Sequence, residues 1–121
     1  MDKTIKIDGR DVKFRATAGT PRLYRILTMR DLVKDINALT KHFKEVQEND
    51  TEGVEGLSIE DLTIFENVAY TMAKHATPDM PEKSVEEWLD TFEMFSIWQI
   101  LPQLLDLWRL NVQQTSQPKK K

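Results

Sequence analysis

Apolar and polar positions alternate at the start of the chain, then take up a helical period that persists almost to the end. Over residues 4–17, Ile5 and Ile7 face one side and Val12 and Phe14 return on a second strand, with the lysines and Arg15 toward water. Asp8-Gly9 supplies the positive backbone angles of a tight turn, so the segment predicts a β-hairpin. A lone hairpin is marginal in water, and this one must lie on helices or pair with a neighbouring chain's edge. Thr20-Pro21 then reads as a cap and first helical position, followed by an apolar stripe of Leu23, Ile26 and Leu27. Leu32, Val33, Ile36, Leu39, Phe43 and Val46 make a second stripe and predict a helix from about Asp31 to Glu48. Whether Thr28–Arg30 breaks the two helices apart or only bends them is open at this level.

Asn49–Gly56, with two glycines and three acids, predicts a mobile loop. Ser58 and Asp61 form a variant capping arrangement for a helix to about Ala76, its inner face carrying Leu62, Phe65, Val68, Ala69 and Met72. Thr77-Pro78 and Met80-Pro81 stop it. Ser84 and Glu87 make a capping box for a short helix through about Thr91, and a last helix runs to about Leu110. Pro102 lies inside that helix and should kink it or split it at Leu101. The expected fold is mainly α, about five helices with a small N-terminal β-hairpin in a single domain. The domain would span residues 1–111, and residues 112–121 would form a disordered basic tail.

Composition changes this picture little. A chain of 121 residues buries roughly two-thirds of its unfolded surface as one domain. The lack of cysteine excludes disulfides and thiolate metal sites and suits a reducing compartment. No signal peptide is visible. The longest apolar stretch, Ile97–Leu110, is interrupted by Gln99, Pro102, Gln103, Asp106 and Arg109, so no membrane span is expected. Charge is uneven: residues 1–48 carry eleven Lys/Arg against seven Asp/Glu, and residues 49–118 carry three against thirteen. A basic front, an acidic body and a basic tip suggest an oriented surface and a possible homo-oligomer, although ordinary solvated helix faces explain them equally well. Nucleic-acid binding is not expected, because the front's basic residues alternate with acids and lack an aromatic RNA-binding motif.

No residue pattern asks for catalysis, a metal or a cofactor. His42 and His75 stand on different helices without ligand spacing, and His75 near a helix end suits the dipole there. The pairs Glu60-Asp61 and Glu86-Glu87 sit in first turns, where acids meet the dipole favourably. The aromatics carry more information. Trp88, Phe92 and Phe95 recur at helical spacing, and Trp98, Leu101, Leu105 and Trp108 continue the series. Such a stripe is more often core than binding surface. Yet Met94, Ile97, Ile100, Leu104, Leu107 and Leu110 point in other directions, and a helix apolar on several sides needs two things to pack against. Trp88, Phe92, Phe95, Trp98 and Trp108 are therefore candidate partner-binding residues.

The acidic, aromatic stretch from Ser84 to Trp108, with its polar end Gln117-Pro118-Lys119-Lys120-Lys121, resembles the C-terminal part of a known family. This is the tail assembly chaperones of long-tailed (siphovirus-type) phages and prophages of Gram-positive bacteria. The runs Ile5–Thr17, Gly19–Arg25, Arg30–Asp35 and Phe65–Lys74 are similar to that family as well, so the resemblance covers nearly all of the chain except the acidic loop around residues 49–57. The family pattern leads one to expect glycine near the end of the first helix, where this chain has Met29. The resemblance implies a non-enzymatic chaperone in the host bacterial cytoplasm, absent from the mature virion. It would bind the tape measure protein and keep it soluble while the tail tube assembles. It also implies a longer frameshifted form whose added domain recruits the tail-tube (major tail) protein, and Lys119, Lys120 and Lys121 would mark the slippery codons. Two readings from other classes remain beside it: a structural phage component, such as a head–tail connector or minor tail protein, and a small nucleic-acid-binding regulator.

Overall fold

The computed structural model of the chain describes residues 1–48 and 56–116. It bears out the expected fold: among the described residues there are five helices and one N-terminal antiparallel hairpin. Strands β1 (Asp2–Ile7) and β2 (Arg10–Arg15) pair with Ile5 opposite Val12, and the turn is Asp8-Gly9, both with positive φ (55° and 78°). Ile5, Ile7 and Phe14 are buried beneath the hairpin, and the helices under it are the third and fifth.

Helix α1 (Thr20–Thr28) starts one residue earlier than its capping signal suggests. Gly19 is the N-cap, while the Thr20 hydroxyl lies inside the helix and accepts the Thr17 N–H at 2.8 Å. The expected stripe of α1 is not its core face. Ile26 is 61% exposed and Leu27 is exposed as well, whereas Thr20 and Tyr24 are fully buried. The reason is a polar anchor, described below, that turns Tyr24 inward and rotates the apolar side out. The chain then breaks. Met29 adopts the left-handed conformation (φ 62°) and its N–H donates to the Arg25 carbonyl, which ends α1 as a glycine would. Asp31 accepts the Lys34 N–H and opens α2 (Leu32–Glu48). Its stripe is buried as expected, except for Val33, which faces out.

Helix α3 (Ile59–Ala76) is the centre of the molecule. The hairpin and all four other helices pack on it, and residues 68–73 are buried without a break. A stretch buried all round must satisfy its polar side chains within the protein: the Thr71 hydroxyl donates to the Asn67 carbonyl at 2.7 Å and the Tyr70 hydroxyl to the Glu82 carbonyl at 3.1 Å. Ser58 and Asp61 form a complete capping box, each accepting the other's backbone N–H.

Helix α4 (Val85–Leu89) has only half of its expected box. Ser84 accepts the Glu87 N–H, but the Glu87 carboxylate reaches one residue further back, to the Lys83 N–H. α4 also stops before Thr91, because the hairpin turn takes over the next backbone groups. Arg10 donates to the Thr91 carbonyl at 2.9 Å, and the Asp8 carboxylate accepts the Glu93 N–H at 2.8 Å. Helix α5 (Ile97–Ser116) is not split at Leu101. It runs through Pro102 and past Leu110, so residues 112–116 are helical rather than tail. The acidic loop expected over Asn49–Gly56 lies outside the described residues apart from Gly56, and so do Lys119, Lys120 and Lys121.

Candidate partner-binding groove

The five candidate aromatics divide into two groups. Trp88, only 2% exposed, is the hub of one. Its ring meets Phe14 of the hairpin at 6.4 Å, Tyr70 of α3 at 5.8 Å, Phe92 at 5.2 Å and Phe95 at 5.3 Å. Three of these contacts are edge-on, the arrangement that ring quadrupoles favour. Phe92 is capped on its outer side by the Arg10 guanidinium, 4.1 Å from the ring centre. The segment between α4 and α5 folds Phe92 and Phe95 back onto Trp88, and this cluster belongs to the core.

Trp98 and Trp108 stand on α5 and behave differently. The inward face of α5 is Ile97, Ile100, Leu104 and Leu107, which lie off the aromatic series, together with Leu101, the one member of that series that is fully buried on this helix. Trp98, Leu105 and Trp108 fall beside that face and are half-buried. The Trp98 ring lies on Phe43 of α2 at 5.0 Å. Trp108 lines an open groove of about 450 Å³ between α2 and α5.

The groove has two unlike walls. On α5, Pro102, Leu105, Trp108 and Val112 follow one another at helical spacing and are apolar. On α2, Asn37, Thr40, Lys44 and Gln47 do the same and are polar. Ile36 and Phe43 close the floor, and the Arg109–Asp106 ion pair at 2.9 Å sits beside the α5 wall. The end residues of each wall lie ten positions apart, about 15 Å along the helix. In sequence the α2 wall is hidden beside the core stripe of the same helix. The signal was present as a second row of amides, a hydroxyl and an amine, offset by one from Ile36, Leu39, Phe43 and Val46.

A buried polar node fixes the start of α2 and thus the position of this wall. Asp35 accepts the Tyr24 phenol at 2.7 Å and a two-pronged contact from Arg30 at 2.7 and 2.9 Å; Arg30 also reaches Glu60 of α3 at 3.3 Å. Burial alone would raise the Asp35 carboxyl, but the hydrogen bonds from Arg30 and Tyr24 hold it below its usual range. Burial and the Asp35 contact together push the Tyr24 phenol well up. Further along, His42 of α2 meets Asp61 of α3 at 2.9 Å. Against the burial of its carboxyl, Asp61 is kept below its usual range by His42 and by the Ser58 backbone and hydroxyl. His75, at the end of α3, contacts the Thr17 hydroxyl at 3.0 Å and is pushed down by burial and by nearby Arg15. Its expected benefit to the helix dipole requires a charge that this environment opposes.

The geometry defines a small helical protein with an open, two-sided groove. Among the described residues, no group of three or more His, Asp or Glu is placed to hold a metal, and no helix is long and apolar enough to cross a membrane. Compared with protein-family models, curated proteins and solved structures, the chain matches none.

Proposed function

We propose that this protein is a phage or prophage tail assembly chaperone, and that the α2–α5 groove receives a helical segment of the tape measure protein. One observation carries the reading: the groove pairs an apolar wall on α5 with a hydrogen-bonding wall on α2. An amphipathic helix lying along it would set its apolar stripe on Leu105 and Trp108 and its polar flank on Asn37, Thr40 and Gln47. The resemblance supplies the identity of that helix. A long apolar rod aggregates unless its stripe is covered, and many copies of an acidic protein could cover it and repel one another. No catalysis is involved; tube subunits displace the chaperone by binding the rod better. The protein acts in the host cytoplasm and leaves before the virion is complete. A longer frameshifted form, with Lys119–Lys121 marking the slippery codons, would bring in the tail-tube protein.

Co-expression with the tape measure protein tests the groove. Leu105→Glu should abolish co-purification while the far-UV circular dichroism stays helical. Retained binding by a folded Leu105→Glu protein would remove the groove from the reading. Recovery of the protein in purified virions would favour a structural tail or connector component instead. Recoding the three lysines with AAG should eliminate the longer product, and an unchanged product pattern would remove the frameshift.

A further inference from the structure

The hairpin has two open edges, and they are not equivalent. Met1 and Ala16 exchange both backbone hydrogen bonds at 2.9 Å, so the hydrogen-bonded pairs of the ladder continue as Lys3 with Phe14, Ile5 with Val12 and Ile7 with Arg10. The N–H and C=O groups of Asp2, Thr4 and Lys6 therefore point away from β2, and those of Asp11, Lys13 and Arg15 point away from β1. None of these outward groups has a backbone or side-chain partner among the described residues. Two strands with both edges bare form a template for a further strand.

The side chains of these same residues form two short rows on the solvent face. On β1 the row reads Asp2, Thr4, Lys6, negative to neutral to positive; on β2 it reads Asp11, Lys13, Arg15. An antiparallel match of β1 with its own copy about Thr4 sets Asp2 opposite Lys6 of the mate at both ends, with threonine against threonine in the middle. Opposite charges and Thr–Thr pairs are favourable cross-strand neighbours. Within each chain Asp2 already pairs with Arg15 at 2.8 Å and Lys6 with Asp11 at 3.6 Å. The four-stranded sheet would then carry rows of strictly alternating charge, Arg15, Asp2, Lys6 and Asp11, running across the two-fold axis. The same operation on β2 brings Lys13 against Lys13, a like-charge contact at the centre of the register. Lysine is the usual guard of an exposed edge. On β2 it guards; on β1 the only outward lysine falls opposite an aspartate.

We propose that β1 pairs antiparallel with β1 of a second copy about Thr4, joining two hairpins into one four-stranded sheet. The α2–α5 groove takes no part in this contact, so the dimer would carry two grooves. Proline separates the two edges cleanly. At Thr4 or Lys13 it removes an N–H that the chain's own ladder does not use, at edge positions where proline is tolerated. In sedimentation experiments the protein should have twice the mass of the 14.1 kDa chain. Thr4→Pro should halve that mass, and Lys13→Pro should leave it unchanged, all three with the same helical circular dichroism. Thr4→Asp is the second probe, should proline disturb folding. It faces Lys13 within its own chain but sets two carboxylates against each other across the axis, and it too should give the single-chain mass. A wild-type protein that stays monomeric at millimolar concentration overturns the proposal. So does a Thr4→Asp protein that remains dimeric, or dissociation by Lys13→Pro while Thr4→Pro stays paired.

Discussion

Trp88 and Trp108 belong to one aromatic series, yet the fold uses them in opposite ways. Trp88 is enclosed by rings from the hairpin, α3 and the α4–α5 connection, and nothing of it is offered to a partner. Trp108 has core on one side and an open groove on the other. The difference comes from the chain between them. Residues 90–96 leave the helix because Asp8 and Arg10 claim their backbone groups, so the spacing that looks continuous in sequence is interrupted in space. An aromatic stripe thus divides into a core cluster and a wall available for docking.

The largest difference is expected at the tryptophans themselves. Trp88→Ala should destabilise the protein by about 3–5 kcal/mol, the usual cost of emptying a core of a large ring. Trp108→Ala should cost about 1 kcal/mol or less, as for a partly exposed side chain, and, on the proposed function, should weaken binding of the helix in the groove. Urea unfolding curves of the two variants check the first contrast, and co-purification checks the second. Equal destabilisation by both substitutions would mean that Trp108 is core and the groove is an accident of packing.

A second test asks what holds each half in place. Rings hold the Trp88 half, whereas the α2 wall begins at the buried Asp35 node. Asp35→Ala leaves the Tyr24 hydroxyl buried without its acceptor and frees Arg30, so about 2–3 kcal/mol of stability should be lost. Tyr24→Phe keeps the ion pair and should cost about 1 kcal/mol. If the node positions the groove wall, the alanine variant also binds the proposed helical partner more weakly at temperatures where it is still folded.

Acid should act on the polar contacts in two separate ranges. In the folded chain His75 holds its proton less tightly than in the unfolded chain, where its pKa is about 6.5. Its contribution to stability is therefore complete above pH 6.5 and is lost as pH falls below that value. Asp35 and Asp61 are depressed carboxylates, and their contribution is complete above about pH 4 and lost as pH falls further. Glu66, raised by burial and by Glu86, works against that second loss. Unfolding free energy against pH should show two descending steps, with His75→Gln removing the one nearer neutrality and leaving the acid one. A profile flat from pH 7 to 5 in the wild type would rule out the His75 contribution.

Period and turn chemistry made most of the fold readable from sequence. The hairpin, its Asp8-Gly9 turn, the α2 stripe and the Ser58–Asp61 box depend on neighbours within a few residues, and all are present. Apart from the shifted caps of α1 and α4, what failed depended on partners further along the chain. The outward turn of Ile26 follows from Tyr24 meeting Asp35, and the early end of α4 follows from Asp8 and Arg10. The groove is of the same kind: Trp108 was named, but its opposite wall on α2 required knowing which helices face each other.

The smallest expected effect lies at the joint between α1 and α2. Met29 takes a left-handed conformation that costs a residue with a Cβ about 1 kcal/mol, and its side chain, 85% exposed, recovers little through packing. Glycine adopts that conformation freely but gives the unfolded chain more freedom to lose. The two effects oppose each other, and Met29→Gly should gain about 0.5 kcal/mol, read as a higher urea midpoint at unchanged slope. This bears on the comparison because the joint precedes the Asp35 node and the groove wall. A relaxed joint with the node intact should leave binding of the proposed partner unchanged, in contrast to Asp35→Ala. If Met29→Gly raised stability and lowered binding together, the strained joint itself would be setting the angle of α2, and the groove would depend on backbone strain as well as on the polar anchor.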